Sequence, residues 1–350
     1  MRKAARPDFA KCKIHAVRAR APCKWMLVIK ERRGRFLFPW GGILAHPRCV
    51  NEPVQYLNRY TNRVETEQIY GEGPMRWVYE TRSGRLALWL LVRRAFFSRW
   101  YGWRMRQPGS RARIRRFIEK YELNAEEFAE SAESFRSFDE FFSRKLRPEA
   151  RPILGGTGRV VFPADGRHLG FQDVDAVRAI YAKGQRFDLA ALLGDPALAE
   201  RYRGGALVCS RLCPVDYHRF HFPVAGMAGR ARLINGWLYS VNPVALRRQA
   251  NYLWENKRQC VQIETAEWGV VTLVVIGATN VGSMTFTYPE NGCVKQGAEA
   301  GFFSFGGSFV ATLFEPGKIR LADDLVRETG AGRELYARMG DLLGGGAKSA

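Results

Sequence analysis

Two histidines three residues apart, and a serine behind two glycines, are the side chains in this sequence best suited to moving a proton and attacking a carbonyl. His218 and His221 lie in LCPVDYHRFHFPVAG, residues 212–226, and the whole chain holds only 5 histidines. Imidazole titrates near neutral pH, which suits general acid–base work. A metal site would need further ligands at suitable spacing, and HxxH alone supplies too few, so no metal is expected. One buried, hydrogen-bonded histidine and one exposed histidine is the plainer reading of the same pair. Ser308 closes KQGAEAGFFSFGGS, residues 295–308. Gly-Gly-Ser between aromatic residues reads as a hairpin turn. It also places a hydroxyl beside a flexible, unhindered carbonyl, and glycine tolerates the strained turn that backbone self-cleavage requires. No Gly-Lys-Ser/Thr follows, so a phosphate-binding P-loop is excluded.

Three further segments stand near these in type. FPADG, residues 162–166, carries Asp165 in what is ordinarily a tight turn, with Asp capping its own backbone and Gly at positive φ. GATNVGS, residues 277–283, follows an apolar run, and its small side chains allow close backbone approach or simply a bulge. FFSRKLRPEARPI, residues 141–153, reads as a helix end and a linker, since its two Arg-Pro pairs stop helical structure.

The elements that must position these residues change character along the chain. Residues 1–50 mix Arg, Lys, Pro and Gly without a sustained period and read as a basic, poorly ordered extension. Residues 51–155 read as a helical region. Within it Leu88, Leu91, Val92, Ala95 and Phe96 fall at helical spacing, beside Trp89, Trp100, Tyr101 and Trp103. Asn124 is a suitable N-cap, and a short helix is expected at 137–142. From 156 to 328 short β-prone runs dominate, at 159–162, 206–210, 261–264, 270–276, 283–288 and 309–314. Residues 329–350 read as a C-terminal tail. Long helices do not alternate with strands, which disfavours a doubly wound sheet. The fold class expected is α+β, a mostly-β catalytic core preceded by a helical, membrane-facing N-terminal region.

Charge is unevenly spread. The net charge is +21, yet residues 1–120 hold 28 Lys+Arg against 8 Asp+Glu while the rest hold 27 against 26. Residues 85–116 carry ten basic side chains and no acidic one. Such one-sided charge meets a polyanion, and interleaved aromatics favour an anionic bilayer surface over nucleic acid, for which no recognition motif is present. The longest apolar run near the N-terminus, residues 25–29, is too short for a signal-peptide core, and no stretch approaches the roughly 20 apolar residues of a membrane span. Contact with a membrane would therefore be peripheral. Seven cysteines, with no CxxC, point to a reducing compartment rather than a disulfide framework.

Together and in this order the five segments resemble the phosphatidylserine decarboxylases, over residues from about 51 to about 325, with VATLFEPGKI following the Gly-Gly-Ser. The resemblance implies an Asp165–His221–Ser308 constellation for self-cleavage, working as a serine-protease triad does. Ser308 would attack the carbonyl of Gly307. The ester formed would undergo β-elimination, and hydrolysis of the dehydroalanine would leave a pyruvoyl group. A β chain, 1–307, and an α chain, 308–350, would result. The pyruvoyl cofactor would form a Schiff base with the serine amine of phosphatidylserine, carbon dioxide would leave, and His218 would protonate the carbanion to give phosphatidylethanolamine. The same resemblance implies a peripheral enzyme on the cytoplasmic face of the cell membrane, bound to anionic phospholipid, and a homo-oligomer of processed heterodimers. The family usually has Thr after the cleavage-site serine, where this chain has Phe309. Three other functions compete: pyruvoyl chemistry on a different amine, a serine hydrolase using the same three residues on an external ester, and a basic binding protein that has lost processing.

Overall fold

A computed structural model describes residues 53–177, 187–279, 284–306 and 308–346. The basic extension 1–50, residues 280–283 of the GATNVGS motif, Gly307 and the last four residues lie outside them. Strands in the first half of the chain are β1 (Gln55–Asn58), β2 (Arg63–Thr66), β3 (Arg159–Val161), β4 (Gly166–Phe171) and β5 (Ala206–Leu212). Next come β6 (Arg219–His221), β7 (Gly226–Ala228), β8 (Arg232–Ile234), β9 (Arg258–Thr265) and β10 (Gly269–Gly277). After these follow β11 (Met284–Phe286), β12 (Gly292–Val294), β13 (Glu299–Phe303) and β14 (Ser308–Phe314). The last are β15 (Ile319–Leu321), β16 (Glu334–Ala337) and β17 (Leu342–Gly346).

The main sheet runs β12-β7-β9-β10-β14-β5-β4-β16-β1-β2, with β8 beside β9. Its middle strands are apolar on both faces because each face is covered. Val271, Leu273 and Val275 of β10 enter one core with Val310 and Phe314 of β14, and Val274 and Ile276 enter a second with Phe309, Ala311 and Leu313. The first core is closed by side chains from two small sheets, β11-β13-β6 and β15-β17-β3. Short helices at Leu189–Leu193, Pro243–Leu246 and Tyr252–Glu255 close the second.

The helical region comprises α1 (Glu72–Glu80), α2 (Arg82–Ala87), α3 (Ala95–Arg106), α4 (Ala112–Tyr121) and α5 (Phe138–Phe142). A π-helical turn at Leu88–Val92 interrupts the helical spacing read through Leu88–Phe96, and a 3₁₀ turn beginning at Pro108 separates α3 from α4. Asn124 caps a 3₁₀ turn, accepting from the Glu126 amide, and Ser137 caps α5, accepting from the Glu140 amide. From α3 onward these pieces share a third, aromatic core of Phe117, Phe128, Phe138, Phe141 and Phe142, whereas Tyr79 of α1 and Leu88 of the π-turn enter the second. Among the described residues no helix is long and apolar enough to cross a membrane.

The described residues fall in one compact unit, in which β1 pairs with both β2 and β16. The segment read as a tail supplies β16 and β17, which pair with β4 and β3. Ion pairs reinforce this closure. Arg211, on β5 and 2% exposed, donates to Glu67 at 2.6 Å and to Glu334 of β16 at 2.5 Å. Arg167, on β4, donates to both oxygens of Asp216 at 2.7 and 2.5 Å, with the rings of Tyr56 and Tyr336 on its guanidinium. The Arg211 and Arg167 guanidinia hold the Glu67 carboxyl down at about 2 against the opposing effect of burial, which is the largest influence on it. Removing Glu334 takes from the buried Arg211 guanidinium the carboxylate that its Nε and Nη2 donate to, leaving Glu67 alone to hold it. Glu334→Ala is therefore expected to lower the unfolding free energy by about 3 kcal/mol, measured by urea denaturation. Loss of under about 1 kcal/mol would mean that the network is solvated.

Candidate active site

Asp165 sits in the turn before β4 and is 1% exposed. Arg151 clasps it, Nε lying 2.9 Å from each carboxylate oxygen and Nη2 2.6 Å from Oδ2, and the Met339 amide donates to Oδ1 at 2.8 Å. The segment 141–153 is thus more than a linker. Its Arg151 holds Asp165, its Arg144 reaches the carbonyls of Val215 and Asp216 from a buried position, and its Phe142 lies on His218. A carboxylate among apolar residues needs a cation, so Asp165 in FPADG was the available signal for Arg151.

His221 ends β6 opposite Glu299, and its amide donates to the Pro163 carbonyl at 2.7 Å, two residues before Asp165. Burial pushes its imidazole down to about 4, while the carboxylates of Glu299 and Asp165 pull the other way. Asp165 therefore reaches His221 through its field, but its oxygens are engaged by Arg151 and Met339. The Nδ1 of His221 has no hydrogen-bond partner among the described residues. That differs from the carboxylate–imidazole hydrogen bond of a serine-protease triad, and the bidentate arginine is the reason.

His218 stacks on Phe142 with ring centroids 3.8 Å apart, and its Nδ1 lies 3.0 Å from the Asp216 carbonyl. A carbonyl only accepts, so Nδ1 carries the hydrogen and Nε2 presents a bare lone pair. Burial first of all pushes this imidazole down to about 3. Ser308 begins β14 between Leu212 of β5 and Gly277 of β10, with no exposure. Strand alternation puts Ser308 on the face of Val310, towards the first core, and the buried ring of Phe309 in the second. Ser308 Oγ, His218 Nε2 and His221 Nδ1 are all buried without a partner among the described residues. Each such orphan costs about 1–3 kcal/mol, and functional sites are where native proteins keep them. A cavity of about 100 Å³ adjoins the segment before Ser308, lined by Leu212, Cys213, Ser240, Thr279, Phe305 and Gly306.

Burial holds His168, His218 and His221 neutral, at about 3, 3 and 4, whereas unfolded imidazoles titrate near 6.5. Below pH 6.5 the unfolded chain binds more protons, so the stability present at pH 7 falls as pH drops towards 4. The slope is up to about 1.4 kcal/mol per pH unit for each imidazole. Thermal melts at pH 7.5, 6 and 5 check this, and an unchanged melting temperature would mean that the rings are solvated.

The family model described as phosphatidylserine decarboxylase matches residues 138–345. A phosphatidylserine decarboxylase proenzyme of Chlamydia muridarum is 45% identical over 289 residues, 83% of this chain and 96% of that protein. One from Chlamydia caviae is 43% identical over 291 residues, covering 83% and 97%. One from Fusobacterium nucleatum is 38% identical over 293 residues, covering 84% and 98%. With that identity over nearly the whole of each relative, the chain belongs to the phosphatidylserine decarboxylase family.

Proposed function

We propose that this chain is a self-processing decarboxylase that converts phosphatidylserine to phosphatidylethanolamine and carbon dioxide, with a pyruvoyl group made from Ser308. The observation that carries it is the buried Oγ of Ser308, without a partner among the described residues and directly behind two glycines in a chain whose relatives are named proenzymes. The residues fit such a group: among the described residues the hydroxyl is committed to no other bond, and a cavity adjoins the segment before it.

Maturation uses the chain's own atoms. Ser308 Oγ gives its proton to His221 and bonds to the Gly307 carbonyl carbon. The Gly307–Ser308 C–N bond breaks, the nitrogen takes a proton, and an ester joins Gly307 to the serine oxygen. Loss of the Ser308 α-proton with cleavage of its Cβ–O bond then frees the Gly307 carboxylate, and hydrolysis of the resulting dehydroalanine releases ammonia. Neutral His221 is the competent base, and burial keeps it neutral. Asp165, held by Arg151, stabilises the imidazolium through its field rather than by a hydrogen bond. The pyruvoyl carbonyl would supply the electrophile for the headgroup amine and the electron sink for loss of carbon dioxide. His218 Nε2, bare of hydrogen, would take the proton that the headgroup amine sheds and return it to the carbon that loses carbon dioxide. The sealed surroundings of both imidazoles exclude water from that transfer.

The lipid is met through the helical region. Trp77, Trp89, Leu90, Leu91, Phe96, Trp100 and Trp103 are all more than 45% exposed, and Arg85, Arg93, Arg94, Arg99, Arg104 and Arg106 are interspersed with them. Arg93 lies 4.2 Å from the ring centroid of Trp237, which joins the β core to this surface. Tyr70 and Met75 of the same region line the cavity before Ser308, so headgroup and interface adjoin. An apolar, basic surface of this kind lies on anionic lipid. The proposal includes a peripheral position on the cytoplasmic face of the membrane. It also includes, on the family resemblance alone, a homo-oligomer of two-chain units.

Intact-mass analysis tests the chemistry. The purified chain is expected as two fragments split between Gly307 and Ser308, the smaller with a blocked terminus. Ser308→Ala should stay whole, and His221→Ala should remain largely uncut. A whole wild-type chain would remove the decarboxylase reading. For the interface, replacing Trp89, Trp100 and Trp103 together by Ala should weaken sedimentation with phosphatidylserine-containing vesicles about 10-fold or more, while neutral vesicles bind the wild type poorly. Equal binding by the triple variant would move the lipid contact elsewhere.

A further inference from the structure

The self-processing reading leaves open what presents the Gly307 carbonyl to Ser308. The described residues on either side of Gly307 are held in place. Downstream, β14 is buried along its length and paired on both edges, with Ser308 already in register with Leu212 and Gly277. Upstream, Phe305 is 2% exposed, and its ring meets four others: Phe142 at 4.9 Å, Phe138 at 5.1 Å, Tyr101 at 5.7 Å and Tyr70 at 6.2 Å. Only Gly306 and Gly307 lie between. Gly306 has φ of 144°, a conformation that side-chain-bearing residues avoid. Each residue spans at most about 3.6 Å, so two residues between fixed ends leave little slack.

An aromatic box holds a ring but lets the attached backbone turn about it. The backbone of Phe305 is fixed by one further contact: its amide donates to Oδ1 of Asp139 at 2.8 Å. Asp139 is half-buried in the first turn of α5, a helix capped by Ser137 and packed in the third core. We propose that Asp139 is a positioning residue for maturation, setting the rotation of the Phe305–Gly306 backbone so that the scissile carbonyl faces Ser308. The inference rests on self-processing but assigns a role to a residue outside the Asp165, His218, His221 and Ser308 group. It also makes the helical region part of the maturation apparatus as well as the lipid-facing surface. Burial raises the affinity of the Asp139 carboxyl for a proton. Either protonation state keeps an oxygen able to accept from the Phe305 amide, so the acceptor matters and the charge does not.

The test follows cleavage of freshly refolded full-length precursor by intact mass, with thermal melts of each variant in the Ser308→Ala background to monitor folding. Asp139→Ala should slow cleavage at least about 10-fold, since displacements of about 1 Å in a reacting pair carry penalties of that order and more. Asp139→Asn, which retains the acceptor oxygen, should cleave within about 3-fold of wild type, a rescue that a charge-based role would not give. If Asp139→Ala fails to fold, Asp139→Glu replaces it: slow cleavage supports the inference and wild-type cleavage overturns it. A wild-type rate for folded Asp139→Ala, or an Asp139→Asn as slow as Asp139→Ala, overturns the positioning role alone. An uncut wild-type chain overturns self-processing and this role with it.

Discussion

Charges sealed from water must be neutralised by other parts of the chain, and two arginines make this the organising constraint of the fold. Arg211 reaches Glu67 just after β2 and Glu334 at the start of β16, residues far apart in sequence. Arg167 reaches Asp216, whose carboxylate also accepts from the Cys213 amide. That last bond shapes the turn between β5 and the histidines, and the Asp216 carbonyl then sets the tautomer of His218. Misplacing any carboxylate would strand a guanidinium in a medium where an unpaired charge costs several kcal/mol. The network therefore acts less as added stability than as a requirement that strands from both ends of the chain arrive together.

The same logic governs the candidate site. Arg151 neutralises Asp165 and thereby takes it out of hydrogen-bonding competition for His221, leaving imidazole and hydroxyl buried and without partners among the described residues. The desolvation that keeps His221 and His218 neutral would also make each lone pair available to the proposed chemistry, and the field of Asp165 would favour the charge that His221 acquires on taking a proton.

Much of this was legible in the residues. The strands around β10 and β14 follow from β-branched and aromatic runs that need burial on both faces, and the short helix at 138–142 from its serine cap. The motifs named Asp165, His218, His221 and Ser308, and each of these side chains is buried. Other features were hidden for physical reasons. Sequence β17, LLGGG, looks like tail because glycine carries no strand pattern, yet it pairs with β3 and β15. Nothing in the sequence singles out Arg167, Arg211, Glu67 and Glu334, since only tertiary structure shows that each has a buried partner. The π-turn at Leu88–Val92 is invisible to a helical period that continues across it.

Phe309 shows how far a neighbour in sequence can be from a neighbour in chemistry. A residue bonded directly to the nucleophilic serine invites the expectation that a large ring in place of threonine disturbs the attack. On a strand, however, successive side chains leave opposite faces. Ser308 shares its face with Val310, whereas Phe309 enters the second core beside Ala311 and Leu313, fully buried. Its consequences belong to packing behind the sheet, where it sits opposite Ile276 and Arg211 in register. The side chains around the segment before Ser308 come instead from other elements: Phe142 lies against His218, and Asp139 and four rings meet Phe305. In the proposed maturation, a substitution at Phe309 would therefore act through the packing of β14, and a substitution in α5 through the approach of the carbonyl.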